Sequence, residues 1–350
     1  MSGPSPSAAV TRAGASAPPG VVDPRPPFPV GWFMVCAAAE VGPGELVERT
    51  WMGDQVVAFR SGAGVPAVLS AHCPHLGANL ARGGTVVGDS VRCPFHSLRW
   101  DGRGRCVGSE YPGDPSYPVR ATAYPVIERF GFVFAWHDPQ GGEPTFDVPD
   151  LDLDGWTDMT VTTIPIAAHV ETIHENGVDA VHFGIVHGFP LSEPRYSDDG
   201  TSFHSEFHFA TPNFLREGPA EITTFFDTDT HGLGYAHSLN TAEAVGLRYR
   251  VLLLTTPTTA SSTAFTIATT VERPHAGDLI AGVPVDEVAA FMHRGATGGV
   301  RQDIPIWEGL RFVERPRLVR GDGPIPRFRT WAQQFRPTRA VPRPPTGPRR

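Results

Sequence analysis

The sequence predicts an α+β protein of two antiparallel-sheet domains in tandem, the first small and almost wholly β, the second a larger sheet that carries helices. Three observations predict it. Short β-type runs punctuated by Gly and Pro fill the first part of the chain, and longer runs of period-two hydrophobicity fill the second. The 38 Gly and 36 Pro among 350 residues supply the turns that such sheets need. A chain of this length has room for two domains with ordinary cores.

Residues 1–27 are rich in Pro, Ser, Ala and Gly, and residues 336–350 in Arg and Pro. Neither stretch can bury enough apolar surface to order itself, so both are expected as tails. The first domain then spans 28–145, with GDQVVAFR, VPAVLS and FGFVFAW as strands, and the second spans 146–335. After DPQGGEPTFDVP a helical stretch covers about 168–187, followed by the strands TSFHSEFHFA, EITTFFDT, LRYRVLLLTT and TAFTIATTV. A second helix spans Val285 to Arg294, with Val285, Val288 and Met292 on one face.

The formal charge is −8, and every one of the 29 basic residues is Arg. Nucleic-acid binding is argued against, because phosphate contacts need a basic field over at least one face. No apolar run approaches the ~20 residues that cross a bilayer. The opening stretch lacks the apolar segment of a signal peptide, so a cytoplasmic protein without a membrane span is expected. Cysteines at 36, 73, 93 and 106 are too few for a disulfide framework, and metal binding is the better use for some of them. Cys36 and Cys106 read as small buried apolar residues.

Cys73-Pro-His75 and Cys93-Pro-Phe-His96 each offer one soft thiolate and one imidazole, with 17 residues between the two motifs. Two thiolates can hold one iron of a [2Fe–2S] pair and two imidazoles the other. Replacing thiolates by neutral His raises the potential, which suits such a pair to accept electrons from a ferredoxin or flavin reductase. A four-coordinate zinc site is the alternative, although zinc motifs usually begin with CxxC.

Further along, Asn176, Asp179, His182 and His187 fall in NGVDAVHFGIVH. Two His and one carboxylate make the facial triad that binds Fe(II) and leaves positions for O₂ and substrate. Five residues apart on an ideal helix, the two His would point about 140° away from each other. A π-type widening or a helix end at Gly184 or Gly188 would bring them together. Asp179 stands one turn before His182, where its carboxylate could orient that ring; the plain alternative is a helix cap. The remaining carboxylate is expected at Asp303, set among Ile304, Ile306 and Trp307, where an acid needs a partner or a metal. Asp286, Glu287 and Glu308 read as solvated rivals. SGAGVPAV has too few glycines in frame for a dinucleotide fingerprint, so NADH is expected to be oxidised on another protein.

CPHLGANLARGG and CPFHSLRWDGRGRC resemble the two cluster loops of the Rieske family. NxxDxxHxxxxH resembles the mononuclear iron motif of Rieske non-haem iron oxygenases, and QDIPIW the stretch that holds their carboxylate ligand. From Gly31 to Phe335 the chain looks like the branch containing 3-ketosteroid 9α-hydroxylases and cholesterol 7-desaturases, including YPVIERFGFVFAWHDPQG and PRLVRGDGPIPRFRTWAQQF. The resemblance implies a Rieske β-sandwich followed by a helix-grip (START-like) catalytic domain whose curved antiparallel sheet encloses a cavity.

It further implies a [2Fe–2S] cluster on Cys73, His75, Cys93 and His96, and a mononuclear Fe(II) on His182, His187 and Asp303. Such a terminal oxygenase uses O₂ as co-substrate and draws on NADH through a reductase, with or without a ferredoxin. A hydrophobic polycyclic substrate is implied, such as a steroid or secondary metabolite. So is a head-to-tail homotrimer in which Asp179 bridges to His96 of a neighbouring copy. By the same resemblance Asn176 adjusts the open coordination position, although it could equally cap a helix.

Two departures bear on substrate choice. Ser97-Leu98 stands where many members have Gly-Trp, and GATGG before Val300 is expected to loosen the helix bearing Asp303. Phe189, Phe203, Phe207, Phe209 and Phe214 are candidates for the pocket wall, with about half of them expected as ordinary core. Two other functions compete: an electron carrier built on the first domain alone, which leaves the second motif unexplained, and a zinc-stabilised interaction module.

Overall fold

The computed structural model describes residues 23–110, 119–275 and 277–337; residues 1–22 and 338–350, expected as tails, lie outside them. Three small antiparallel sheets build the first domain. One pairs Gly31–Ala37 and Val126–Arg129 with Phe132–His137. The second runs Leu46–Trp51, Asp54–Arg60, Pro66–Ser70, Ala123–Tyr124, and the third runs Thr85–Val87, Ser90–Arg92, Arg99–Asp101, Cys106–Gly108.

Phe132–His137 is buried at every position, unlike a strand with one wet face. The reason is that both its faces are covered. Val133 and Ala135 enter the core of the first domain, while Phe132, Phe134 and Trp136 pack on Tyr235, Leu252, Leu254 and Ala268 of the second. This strand is therefore the apolar seam between the domains.

A seven-stranded antiparallel sheet dominates the second domain, beside a two-stranded ribbon of Leu279–Ile280 and Val283–Pro284. Six of the seven strands, Ser192–Asp199, Ser202–Pro212, Glu221–His231, Tyr235–Ala242, Leu247–Thr259 and Ser262–Val271, make an up-and-down meander. Thr160–Ile166 adds at the edge beside the last. Alternation places Phe203, Ser205, Phe207 and Phe209 on the buried face of their strand. Four helical segments accompany the sheet: α1 (Val170–Asn176), α2 (Ala180–His182), α3 (Val285–Gly309) and α4 (Ile325–Ala332). Val285, Val288 and Trp307 of α3 pack on Ile166, Phe265 and Ile267 of the sheet. No helix among the described residues is long and apolar enough to cross a membrane.

Several expectations are corrected. The stretch 168–187 is not one helix, because α1 stops at Gly177 and α2 starts afresh from Asp179. The helix expected to stop at Arg294 runs on to Gly309, through GATGG and Pro305, without a break. Packing overrides propensity there: Ala296, Val300 and Ile304 adjoin the same core as Val285 and Val288.

The tail boundaries also move outward. Arg25 is 6% exposed, forks onto Asp23 and donates to Thr172 Oγ1 at 2.8 Å. Arg336 forks onto Glu171 at 3.0 and 2.8 Å. Composition could not show this, because the order comes from contacts with α1, a hydroxyl of Thr172 for Arg25 and the Glu171 carboxylate for Arg336. Glu171 and Glu175, one turn apart, are both held, the second by a fork from Arg329 of α4. Phe312 lies under the guanidinium groups of both Arg25 and Arg329, at 4.3 and 4.8 Å.

Replacing Glu171 by Ala removes the carboxylate that Arg336 forks onto and that stands 4.0 Å from the buried Arg25, which keeps Asp23. A loss of about 3 kcal/mol is expected, read as a lower denaturant midpoint with an unchanged slope.

Candidate metal centres

Two loops of matching geometry project from the first domain. In each, the Cys N–H donates to the carbonyl five residues on, Cys73 to Ala78 and Cys93 to Leu98, both at 2.8 Å. The N–H four residues on returns to the Cys carbonyl, from Gly77 at 2.8 Å and Ser97 at 3.1 Å. That closing residue has φ of 78° at Gly77 and 57° at Ser97. Ser97 therefore occupies a left-handed position that suits glycine, which gives the departure noted in the sequence a physical cost.

The repeated turn sends both sulfurs inward and leaves both imidazoles half-buried. Cys73 and Cys93 are buried and not joined by a disulfide, and the rings of His75 and His96 lie 4.7 Å apart. Burial pushes the Cys73 thiol up to about 11, and the adjacent Cys93 thiol adds to the shift. Two neighbouring sulfurs with two paired imidazoles fit an iron pair ligated by sulfur on one metal and nitrogen on the other. Leu76 and Phe95, 66% and 61% exposed, flank the imidazoles at the loop tips. Cys36 is buried and Cys106 half-buried, both as free thiols.

In the second domain α2 runs into a π-helical turn, Phe183–His187, closed by the Gly188 N–H on Phe183 O with Gly188 at φ 81°. The widened turn brings the His182 and His187 rings to 5.2 Å. Asp303 arrives from α3, and ligand atoms of His182, His187 and Asp303 all lie within 4.8 Å of one another. His187 Nε2 stands 3.4 Å from Asp303 Oδ1.

The carboxylate is 6% exposed, and burial pushes its pKa up to about 6, partly offset by His187 and by a hydrogen bond from Asn176. Burial holds His182 below the usual imidazole range. The Asn176 amide also donates to His182 Nε2 at 3.0 Å, so it sits between two of the converging lone-pair donors. Two imidazole nitrogens and one buried carboxylate fit a divalent iron with open positions.

The expected bond from the His182 ring to the Asp179 carboxylate is corrected. The ring's Nδ1–H donates to the main-chain carbonyl of Asp179. The carboxylate instead caps α2, accepting from the N–H groups of Val181 and His182 at 3.2 and 3.4 Å. Glu308 Oε1 accepts from Ala167 N and Asp286 pairs with Arg273, so these rivals are engaged elsewhere. Sequence reasoning missed Gln302, whose Oε1 accepts from His187 Nδ1 at 2.8 Å. It also missed Gly323, where a Cβ would come within 1.7 Å of Val178 O; the chain entering α4 is pressed against the backbone just before Asp179.

A cavity of about 530 Å³ opens onto the triad. All five phenylalanines singled out above line it, more than the half expected. Phe189 stacks on His187, with centroids 5.5 Å apart and planes 20° apart, and also meets Phe209. On the α3 side Gly295 and Gly299 stand two turns and one turn before Asp303. A Cβ at Gly295 would touch nothing within 4 Å, and one at Gly299 only His187 Cε1 at 3.9 Å. Neither packing nor backbone strain requires these glycines; what they do is widen the cavity.

Residues 31–122 match the Rieske [2Fe-2S] domain, and residues 135–336 match the 3-ketosteroid 9alpha-hydroxylase C-terminal domain. The chain belongs to the 3-ketosteroid 9α-hydroxylase family of Rieske oxygenases. It is 32% identical over 333 residues to the oxygenase component of a 3-ketosteroid-9-alpha-monooxygenase from Rhodococcus rhodochrous, covering 88% of this chain and 84% of that one. It is 31% identical to the cholesterol 7-desaturase of Bombyx mori, over 95% and 75% of the two chains.

Among solved structures, dicamba monooxygenase bound to dicamba superposes with TM-score 0.67 at 18% identity over 87% of this chain and 96% of that one. Pseudomonas putida CBB5 NdmA with caffeine gives 0.64 at 17% identity over 86% and 89%. At these identities the likeness speaks for the fold, a Rieske β domain followed by a catalytic domain with a large antiparallel sheet.

As a Rieske oxygenase the chain is an oxidoreductase that carries a [2Fe–2S] cluster and a mononuclear iron and uses O₂. As an oxygenase component it depends on a separate source of electrons. Membership sets aside the electron-carrier and zinc-module alternatives.

Two outcomes follow for the glycine wall. Gly295→Ala raises stability by about 1 kcal/mol through helix propensity, measured by denaturant unfolding. Gly295→Phe fills the space before Asp303, abolishing turnover of bulky substrates while the iron–sulfur absorbance stays unchanged.

Proposed function

We propose that this oxygenase hydroxylates or desaturates a hydrophobic polycyclic molecule, a steroid or a fused-ring metabolite of similar size, in the cavity beside His182, His187 and Asp303. The observation that carries this reading is the position and chemistry of the cavity. It reaches the triad directly, is walled by ten phenylalanines and is widened by two glycines. Its volume falls in the range that buries drug-sized ligands. The printed activities of the relatives, a steroid monooxygenase and a cholesterol desaturase, favour the same class.

In this reading Cys73, His75, Cys93 and His96 hold the cluster, and His182, His187 and Asp303 hold the iron. Bound there, the iron supplies O₂ activation for C–H attack and the cluster the electrons for it. The chain's own groups prepare the site. His182 and His187 each donate through Nδ1–H, so each turns the lone pair of Nε2 inward. The phenylalanine wall keeps water from the reacting carbon, and hydroxyls of Ser205, Thr224, Thr228 and Ser238 offer polar handles along the cavity. The Asn176 amide directs its protons to His182 Nε2 and the Asp303 carboxylate, between two of the three ligands.

We further propose a head-to-tail homotrimer, because each copy exposes two apolar patches that a neighbour would cover. Leu76 and Phe95 stand beside the cluster imidazoles, and Val181 and Ile185, 44% and 78% exposed, stand beside the triad. Asp179, on the same turn as Val181, is the candidate bridge to His96 of the next copy. Electrons would come from a cytoplasmic NADH-dependent flavin reductase, directly or through a ferredoxin.

The test is reconstitution with a surrogate reductase and NADH, screening steroids and other polycyclic compounds for substrate-dependent O₂ uptake and product mass. The absence of any coupled oxidation across that panel would remove the substrate class. Asp303→Ala is expected to lower bound iron from about three to about two per chain and to abolish turnover while keeping the Rieske spectrum. Asp179→Asn keeps the helix cap but removes the charge. It is expected to retain both metals and slow reoxidation of the reduced cluster; normal reoxidation would remove the bridging role.

A further inference from the structure

We infer that Gln302 is a positioning residue for the mononuclear site, fixing which nitrogen of His187 faces the metal; this rests on the reading of His187 as an iron ligand. The two histidines are oriented by different means. His182 donates its Nδ1–H to the carbonyl of Asp179, three residues earlier, so its own helical turn sets the tautomer. His187 ends the π turn and has no such local acceptor for its Nδ1–H. It donates instead across the site to Gln302 Oε1 at 2.8 Å.

Gln302 directly precedes Asp303, so on α3 their side chains diverge by about 100° and the helix straddles the imidazole. The amide oxygen meets Nδ1 on one edge, while Asp303 Oδ1 faces Nε2 at 3.4 Å on the other.

The need for this bond follows from the shape of the ring. Phe189 stacks on His187 at 5.5 Å with planes 20° apart, which fixes the ring plane but treats nitrogen and carbon edges alike. A half-turn of the imidazole keeps the stacking and exchanges Nε2 for a carbon. A shift of tautomer keeps it too, and puts a proton where the metal needs a lone pair. Among the described residues Gln302 is the hydrogen-bond partner of Nδ1, and it discriminates against both errors. Being a neutral acceptor, it also adds no second negative charge beside the buried Asp303. Gln302 is itself exposed, so its replacement leaves the core intact.

The test compares Gln302→Leu, Gln302→Glu and His187→Ala in the full chain with its Rieske cluster. Co(II) affinity is measured by calorimetry, and the high-spin Co(II) paramagnetic resonance spectrum reports the ligand field. Gln302→Leu is expected to weaken Co(II) binding by roughly 10 to 100-fold and broaden the spectrum into more than one species, with the Rieske absorbance unchanged. Gln302→Glu, which keeps the acceptor, is expected to restore a single species and affinity at or above the wild-type value. If His187→Ala weakens Co(II) binding but Gln302→Leu retains wild-type affinity and spectrum, the positioning role is wrong. If His187→Ala itself leaves binding undiminished, the ligand reading falls and the role of Gln302 falls with it.

Discussion

Two imidazoles five residues apart on one segment can share a metal only if the backbone between them departs from α-helical geometry. The π turn at Phe183–His187 is that departure, and the catalytic domain is arranged to hold it. Gly188 closes the turn in the left-handed region, and Asp179 starts it by capping the N–H groups of Val181 and His182. Upstream, α1 is anchored by Arg25, Arg329 and Arg336 on its two glutamates. Downstream, the close approach of Gly323 to Val178 fixes the opposite side. A bent segment that would be loose by itself is thereby held from several directions, as an unusual local geometry requires.

The same segment meets α3, which serves the site in three ways. It brings Asp303 into an apolar wall, where an unpaired carboxylate is costly and burial pushes it toward the neutral form. It supplies the Gln302 amide on the far edge of His187. It also carries Gly295 and Gly299, whose missing side chains leave cavity volume next to the iron position. Stability and function conflict at these glycines, since a helix interior favours almost any other residue except proline. The helix survives because its other face is packed on the sheet.

The first domain solves a related problem with a repeated loop. Each Cys is enclosed by two backbone hydrogen bonds, which orient the sulfur inward and leave the histidine at the tip. The domain is fastened to the catalytic sheet by Phe132–His137, a strand without a wet face. Electron entry thus stays near the surface, while the cavity is enclosed between α3 and the buried face of the sheet.

The sequence by itself determined the donor types and their spacing, the antiparallel strands of clear alternation, and the need for a break in helical geometry between His182 and His187. These are properties of neighbouring residues, so a linear reading reaches them. Only the tertiary structure decided that the Asp179 carbonyl, and not its carboxylate, takes the His182 proton, and that Gln302 serves His187. It alone showed that GATGG continues a helix and opens a cavity, and that Arg25 and Arg336 are docked segments of the fold. Each depends on a contact between residues far apart in the chain or on which of two nearby oxygens faces a donor. Residue order fixes neither until the sheet and α3 have closed around the site.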